Sequence, residues 1–135
     1  MYNHILIPVA LDHERLVPGK IKVARRMLSA DGRITLLTVL EDIPGFVSEM
    51  VTTKQENHLT QRINSGLESA AKGSDDIDTR VIKGKPGVQI SEFARSEGVD
   101  LIVVGSHSPS TQDYYLGSTA SRVARRAPCS VFILR

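Results

Sequence analysis

The sequence predicts an α/β fold, with a five-stranded parallel sheet and helices on both faces, in the order β-α-β-α-β-α-β-α-β. Five short apolar runs rich in Ile, Val and Leu recur along the chain, and segments with helical periodicity lie between them. Strict alternation of this kind requires right-handed crossovers, which bring the strands parallel and place helices on both sides of the sheet. The 135 residues suit one domain, 1–135, and 41% hydrophobic residues are enough for a packed core.

The five apolar runs are short and β-branched, which favours strands over helices. The third run alternates apolar Ile77 and Val81 with polar Asp78 and Arg80, so we expect it at an edge of the sheet. The other four are almost continuously apolar, as expected for strands that are covered on both faces. The predicted strands are residues 5–9, 34–39, 77–82, 101–104 and 131–134.

The first predicted helix carries apolar residues at spacings of i, i+4, i+7 and i+11. Its basic residues are assigned largely to the other faces, which makes the helix amphipathic. The apolar positions are Val17, Ile21, Ala24 and Leu28, and the basic ones are Lys20, Lys22, Arg25 and Arg26.

Three further helices are predicted from the same spacing and from helix start and stop residues. Residues 41–50, which contain Pro44 and Gly45, are expected to form a loop before the second helix. The second helix carries Leu59, Ile63, Gly66 or Leu67, and Ala70, and stops at Gly73; the third opens at Gly84, Lys85 and Pro86, turns Ile90, Phe93 and Ala94 inward and ends before Gly98; the fourth runs from Ser118 through Val123, Ala124 and Ala127 to Pro128.

Charge and composition exclude several classes of partner. Seventeen Lys and Arg against fifteen Asp and Glu give a net charge of +2, too small a bias for a surface that binds nucleic acid or anionic lipid. Aromatic residues make up 4% with no Trp, so stacking platforms for exposed bases are scarce. The amino-terminal segment has too short an apolar run for a signal peptide, and we expect a cytoplasmic protein without membrane insertion.

Cysteine and histidine give no metal or disulfide pattern. The single cysteine, Cys129, cannot form an internal disulfide, and it is expected to be a small buried hydrophobe, with a redox-sensing thiol as the alternative. Of the four histidines, His4, His13 and His58 are dispersed without metal-ligand spacing, and solvated or structural roles are expected for them. No metal site is therefore predicted from these side chains.

Ligands of such sheets bind beyond the carboxyl ends of the strands, which directs attention to the residues after Val9, Val39 and Val104. The chain after the fourth strand begins Gly105-Ser106-His107-Ser108 and reaches Gly117-Ser118-Thr119 where a helix starts. Exposed backbone N–H groups, hydroxyls and a helix dipole are the components of a phosphate cradle. The alternative is that Gly105 only makes a turn and that Ser118 or Thr119 only caps the helix.

This segment resembles the carboxyl-terminal part of the universal stress protein family. The resemblance is carried by residues 100–106, by Leu116-Gly117-Ser118, by Val123 and by the closing Pro128-Cys129-Ser130-Val131. The opening residues 5–9, the strand end at 37–39 and the turn at 84–86 also fit, in the same order, so the resemblance covers nearly the whole chain. It implies a Rossmann-like sheet of the adenine nucleotide alpha hydrolase type, a homodimer through the last strand and, in one branch of the family, bound ATP.

The chain departs from the ATP-binding pattern of that branch, G-x2-G-x9-G-[ST], at two points. Ser108 stands where the middle glycine belongs, and Gly105 and Gly117 are separated by eleven residues rather than twelve. The family also places an aspartate after the first strand, where this chain has Ala10. We hypothesise that Asp12 takes over that contact, while capping of the first helix and simple solvation remain open for it.

The resemblance implies a site for ATP, with Mg2+ shared between phosphates and water, in a regulatory protein of the stress response that acts as a binding switch. His107 could donate to a phosphate. No Walker lysine motif and no nucleophile set is present, so no catalytic residue is assigned, and slow ATP hydrolysis or self-phosphorylation is the most that is expected.

The alternative is a nucleotide-free dimeric interaction module with a protein partner that the sequence does not name. A third reading, an acid-phosphatase or synthetase-like enzyme, is disfavoured because the chain lacks the motifs of those enzymes. The expected site residues are Pro8, Val9, Ala10, Asp12 and Val39 for base and ribose, and Gly105, Ser106, His107, Ser108, Gly117, Ser118 and Thr119 for ribose and phosphates.

Overall fold

The computed structural model of the chain describes residues 1–10, 16–41, 61, 65–69, 71, 74–106 and 116–135. Residues 65–69 are helical, but most of the second predicted helix and residues 42–50 of the predicted loop lie outside the described residues. None of the described helices is both long and apolar enough to span a bilayer. The elements are β1 (Tyr2–Pro8), α1 (Val17–Met27), β2 (Leu28–Leu40), β3 (Ile77–Lys83), α2 (Pro86–Ser96), β4 (Leu101–Gly105), α3 (Ser118–Arg126) and β5 (Ser130–Leu134).

The five strands form one parallel sheet in the order β3-β2-β1-β4-β5. The predicted parallel sheet is thus confirmed, and so is the edge position of the third strand. From β1 the chain moves outward to β2 and β3, then crosses back to β4 and β5 on the other side. This reversal opens a crevice at the carboxyl ends of β1 and β4, the usual ligand position in such sheets.

Two hydrophobic clusters cover the two faces of the sheet. The strands alternate between them, because successive side chains of a strand point to opposite faces. In β1, for example, Ile5 and Ile7 belong to the first cluster and Leu6 to the second. Helix α1 packs on the first cluster through Val17, Ile21 and Ala24, and helices α2 and α3 pack on the second through Ile90, Phe93, Ala94, Ala120 and Val123.

The boundary between α1 and β2 differs from the prediction. Leu28 was expected in the first helix, but it has extended backbone angles and begins β2, which therefore starts six positions before Ile34. The pairing with β1 shifts register between Tyr2 and His4, as in a β-bulge. The Leu28 side chain still packs against the first cluster, lying over Gly32, where a Cβ would approach it to 2.5 Å. Leu28 therefore continues the helical spacing of apolar residues although it lies in a strand.

The ends of the third and fourth predicted helices, α2 and α3, follow the prediction closely. Helix α2 has Pro86 in its first turn, and Gly98 follows its end with φ of +68°, a left-handed conformation that favours glycine.

Cys129 is half-buried against the second cluster. Burial raises the pKa of its thiol, and the negative charge of Asp100 raises it further. A raised pKa disfavours the reactive thiolate, which supports a structural role for this cysteine.

His4 lies buried near the amino end of β1, with 5% of its surface exposed. Its Nε2 lies 2.8 Å from the Thr35 hydroxyl, and its Nδ1 lies 3.3 Å from the Glu97 carbonyl oxygen. In the neutral ring Nδ1 therefore donates to the carbonyl and Nε2 accepts from the hydroxyl. Burial first and the Arg33 charge second lower the pKa of His4 from its ordinary value of 6.5.

We expect this histidine to make the fold acid-sensitive. Below about pH 6.5 the unfolded chain protonates His4 while the folded chain resists, so the free energy of unfolding falls as pH drops towards the lowered pKa. Urea unfolding between pH 5 and 8 (about the histidine range) measures this slope. The His4→Gln variant keeps the other three histidines and should show a shallower slope; an unchanged slope would contradict the prediction.

Candidate functional site

A cleft of about 470 Å³ lies at the carboxyl ends of β1, β2 and β4. Its volume falls within the range that small-molecule and cofactor sites occupy. The cleft lies where the strand order reverses, which is the position expected from the topology. The described residues that line it are Pro8, Val9, Ala10, Leu16, Lys20, Leu37, Thr38, Val39, Leu40, Glu41, Pro86, Ile90, Val104, Gly105, Ser106, Gly117, Ser118, Thr119 and Ala120.

Hydrogen bonds beyond the strand ladder fix the floor of the cleft. The Val9 N–H donates to the Leu37 carbonyl oxygen at 2.7 Å, and the Thr38 hydroxyl donates to the Val9 carbonyl oxygen at 3.0 Å. Val9 and Thr38 are both buried, whereas Ala10 is exposed at the mouth. The chain leaving β1 is thus held against the end of β2, and the Thr38 hydroxyl is occupied in holding it.

The amino terminus of α3 forms another wall. Gly117 is the N-cap, and it donates its N–H to the Ser106 carbonyl oxygen at 2.6 Å, which holds the start of the helix beside the end of β4. Among the described residues no side chain caps this helix, and Ser118 and Thr119 are its first two residues, so the alternative that one of them serves as the cap is wrong. The first-turn N–H groups of a helix have no intrahelical partners, and they carry the positive end of its dipole.

Gly105 is the last residue of β4 and pairs with Leu134 of β5, so it belongs to the sheet rather than to a turn. Its φ lies outside the left-handed region, which among the described glycines is occupied by Gly84 and Gly98. Backbone conformation therefore does not require glycine here. Glycine instead leaves space beside Lys20, because a Cβ at position 105 would lie 3.4 Å from the Lys20 Nζ atom.

Lys20 is the largest correction to the sequence prediction. It was assigned to the polar faces of the first helix, yet 7% of its surface is exposed and it lines the cleft. Positions 17, 20, 21 and 24 follow the i, i+3, i+4, i+7 spacing of a buried helical face, and this is the signal that could have found it. Burial lowers the pKa of its ammonium group. Within the described part of the chain, Lys20 has no hydrogen bond or ion pair.

The structure brings most of the predicted site residues together. Asp12, His107 and Ser108 lie outside the described residues. The sequence prediction missed Lys20, the apolar wall formed by Leu16, Pro86 and Ile90, and the exposed Glu41 at the rim. The predicted residues that line the cleft are Pro8, Val9, Ala10, Val39, Gly105, Ser106, Gly117, Ser118 and Thr119.

Comparison with known proteins relates the whole chain to one family. A family model described as the universal stress protein family matches residues 1–135. Universal stress protein G of Escherichia coli O157:H7 is 31% identical over 146 residues, with 100% of both chains covered. Universal stress protein UspA from Lactobacillus plantarum is 25% identical and has a TM-score of 0.72, covering 99% of this chain and 98% of its own.

Two more distant structures share the fold and were solved with adenine nucleotides. A universal stress protein in complex with cAMP is 22% identical, with a TM-score of 0.62, and 99% of this chain and 97% of that one are covered. The universal stress protein from Archaeoglobus fulgidus in complex with dAMP is 16% identical, also with a TM-score of 0.62, covering 99% and 98%.

Proposed function

The chain belongs to the universal stress protein family, and on that premise we propose that its cleft binds an adenine nucleotide, so that the protein acts as a nucleotide-responsive binding switch of the stress response. One observation carries the proposal: a single cleft joins the ends of β1 and β2 with Gly105 and the amino terminus of α3. The complexes of two relatives with cAMP and dAMP support an adenine nucleotide as the ligand class.

The cleft offers different chemistry at its two sides. Val9, Val39 and Ile90 give an apolar surface, which suits the adenine ring because a flat aromatic base gains from leaving water. The first turn of α3 gives backbone donors and a positive dipole end, which suit phosphate oxygens. We therefore assign the base to the β1–β2 side of the cleft and the phosphates to the β4–α3 side, with ATP and Mg2+ included among the proposed ligands.

Calorimetric titration with ATP, AMP and adenosine, each with and without Mg2+, tests the proposal. Mass spectrometry of nucleotide carried through purification gives an independent readout. We expect saturable binding of adenosine and tighter binding of the phosphorylated ligands. If none of them binds and none copurifies, the function passes to the nucleotide-free interaction module, which Ala10 and Ser108 favour because both depart from the ATP-binding pattern of the family.

We also propose a homodimer through β5. This strand lies at an edge of the described sheet, where one row of its backbone N–H and C=O groups has no neighbouring strand to pair with. Residues 131–134 of the strand are apolar, and Phe132 is 37% exposed. Sedimentation of the wild-type chain and of the Phe132→Asp variant tests this: we expect a dimer that dissociates on substitution, while a monomeric wild-type chain would contradict it.

We propose the cytoplasm as the compartment of the protein, because a chain with a single cysteine cannot form an internal disulfide and so gains nothing from an oxidising compartment.

A further inference from the structure

We propose that Lys20 is an anion-binding residue of the cleft, whose ammonium group contacts a phosphate of the ligand and allows nucleoside monophosphates to bind without a divalent cation. The inference rests on the proposed function, since it names how the same site holds its ligand. It concerns a residue of α1, an element to which neither the sequence pattern nor the resemblance gave a ligand contact.

The burial of Lys20 without a hydrogen-bonding or ionic partner among the described residues is the first observation. More than nine-tenths of its surface is buried, and within the described part of the chain it has neither a hydrogen bond nor an ion pair. An ammonium group loses much of its hydration on burial, and this loss is normally offset by an acceptor or a carboxylate. The Lys20 side chain lines the cleft, so a negatively charged ligand bound in the cleft could offset the lost hydration of the ammonium group.

The position of the ammonium relative to α3 is the second observation. The Nζ atom lies over Gly105, and the next residue, Ser106, accepts the hydrogen bond from Gly117 at the start of α3. Two groups that attract anions, the ammonium and the helix amino terminus, therefore flank residues 105–106. A phosphate seated there would receive charge-assisted hydrogen bonds from the lysine and backbone N–H bonds from the helix.

The charge of the cleft is the third observation. Among the described lining residues, Lys20 and Glu41 are the ionisable ones, and Glu41 is exposed at the rim. Lys20 thus supplies the cationic charge of the described interior. One such charge beside a helix amino terminus suits a monophosphate, because the two together balance most of its charge. This is why we infer that Mg2+ is dispensable for AMP.

The Lys20→Met variant tests the inference, because methionine is similar in length and apolar. Lys22→Met is the matched control: it removes the same charge from the same helix at an exposed position. Titrations use AMP, adenosine and inorganic pyrophosphate, all in EDTA. We expect Lys20→Met to weaken AMP binding by about tenfold or more, as for loss of a hydrogen-bonded charge, while adenosine binding is unchanged and Lys22→Met behaves as wild type.

Thermal unfolding without ligand shows that the variant folds. We expect the melting temperature of Lys20→Met to equal or exceed that of wild type, because a buried charge to which no described residue gives a partner is replaced by an apolar side chain. A folded Lys20→Met chain with wild-type AMP affinity, or wild-type AMP binding that requires Mg2+, would overturn the inference. If adenosine and AMP both fail to bind the wild-type chain, the proposed function fails. Binding of pyrophosphate to wild type but not to Lys20→Met would then still support the anion site. Failure of pyrophosphate to bind wild type would overturn the anion site as well.

Discussion

Replacing Gly105 with valine is expected to weaken AMP binding about a hundredfold while leaving the fold intact. A Cβ at this position would already lie 3.4 Å from the Lys20 ammonium, and the methyl groups of valine extend about 1.5 Å further. They would occupy the space over the strand end and force the ammonium aside, which removes the room for a phosphate as well as its counter-charge. Alanine adds the Cβ alone, at ordinary contact distance, so we expect an intermediate loss of about tenfold.

Calorimetry with AMP measures this effect, and circular dichroism with thermal unfolding shows that the variants fold. We expect folding to persist because Gly105 does not have a left-handed backbone conformation and pairs as an ordinary strand residue. Gly19→Val is the matched control, since a Cβ at position 19, next to Lys20 in the chain, meets no atom within 4 Å. Wild-type affinity in a folded Gly105→Val chain would show that the ligand does not approach this strand end.

The Ile102→Ala variant is expected to lose about 2–5 kcal/mol of stability, the range for large-to-small changes at fully buried sites. Ile102 is completely buried in β4, in the second hydrophobic cluster under α2 and α3. Truncation removes apolar contacts and leaves a cavity that well-packed neighbours fill only partly. A domain of this size has about 5–15 kcal/mol of stability, so the change removes a large part of it.

Urea unfolding of wild type and variant at one pH measures this loss. Ile82→Ala is the matched control, because it is the same truncation on the edge strand β3, where Ile82 is only partly buried against the same cluster. We expect the control to lose less than half as much, since solvent and flexible neighbours compensate for part of the lost volume. Equal losses at the two positions would contradict the packing described for the second cluster.

The sheet could be predicted because a strand that is covered on both faces needs a nearly unbroken apolar run, and such runs are visible in one dimension. The position of Leu28 could not. An apolar residue at that spacing serves equally at the last turn of a helix or at the start of a strand, and contacts with Gly32 and with β1 decide between them. The spacing of apolar residues within one segment carries no information about such contacts with other segments.

The candidate site was predictable where it consists of glycines and hydroxyl residues beside a strand end. Lys20 was not predicted because it was assigned by residue type, although its position in the helix matches the buried face. A lysine on such a face is unfavourable unless a cleft lies above it, and the cleft exists only once β1, β4 and α3 are assembled. Tertiary structure thus converts an apparent mismatch in the pattern into a candidate ligand contact.

The hydrogen bond from Gly117 to Ser106 bears on how much the intervening chain can vary in length. It joins the two residues that flank the segment 107–116, with the Gly117 nitrogen 2.6 Å from the Ser106 carbonyl oxygen, so the strand end and the helix start are in direct contact. Closing a loop of slightly different length changes the chain entropy very little. We therefore expect the segment to tolerate the gain or loss of one residue without displacement of the strand end and the helix start, which both line the cleft.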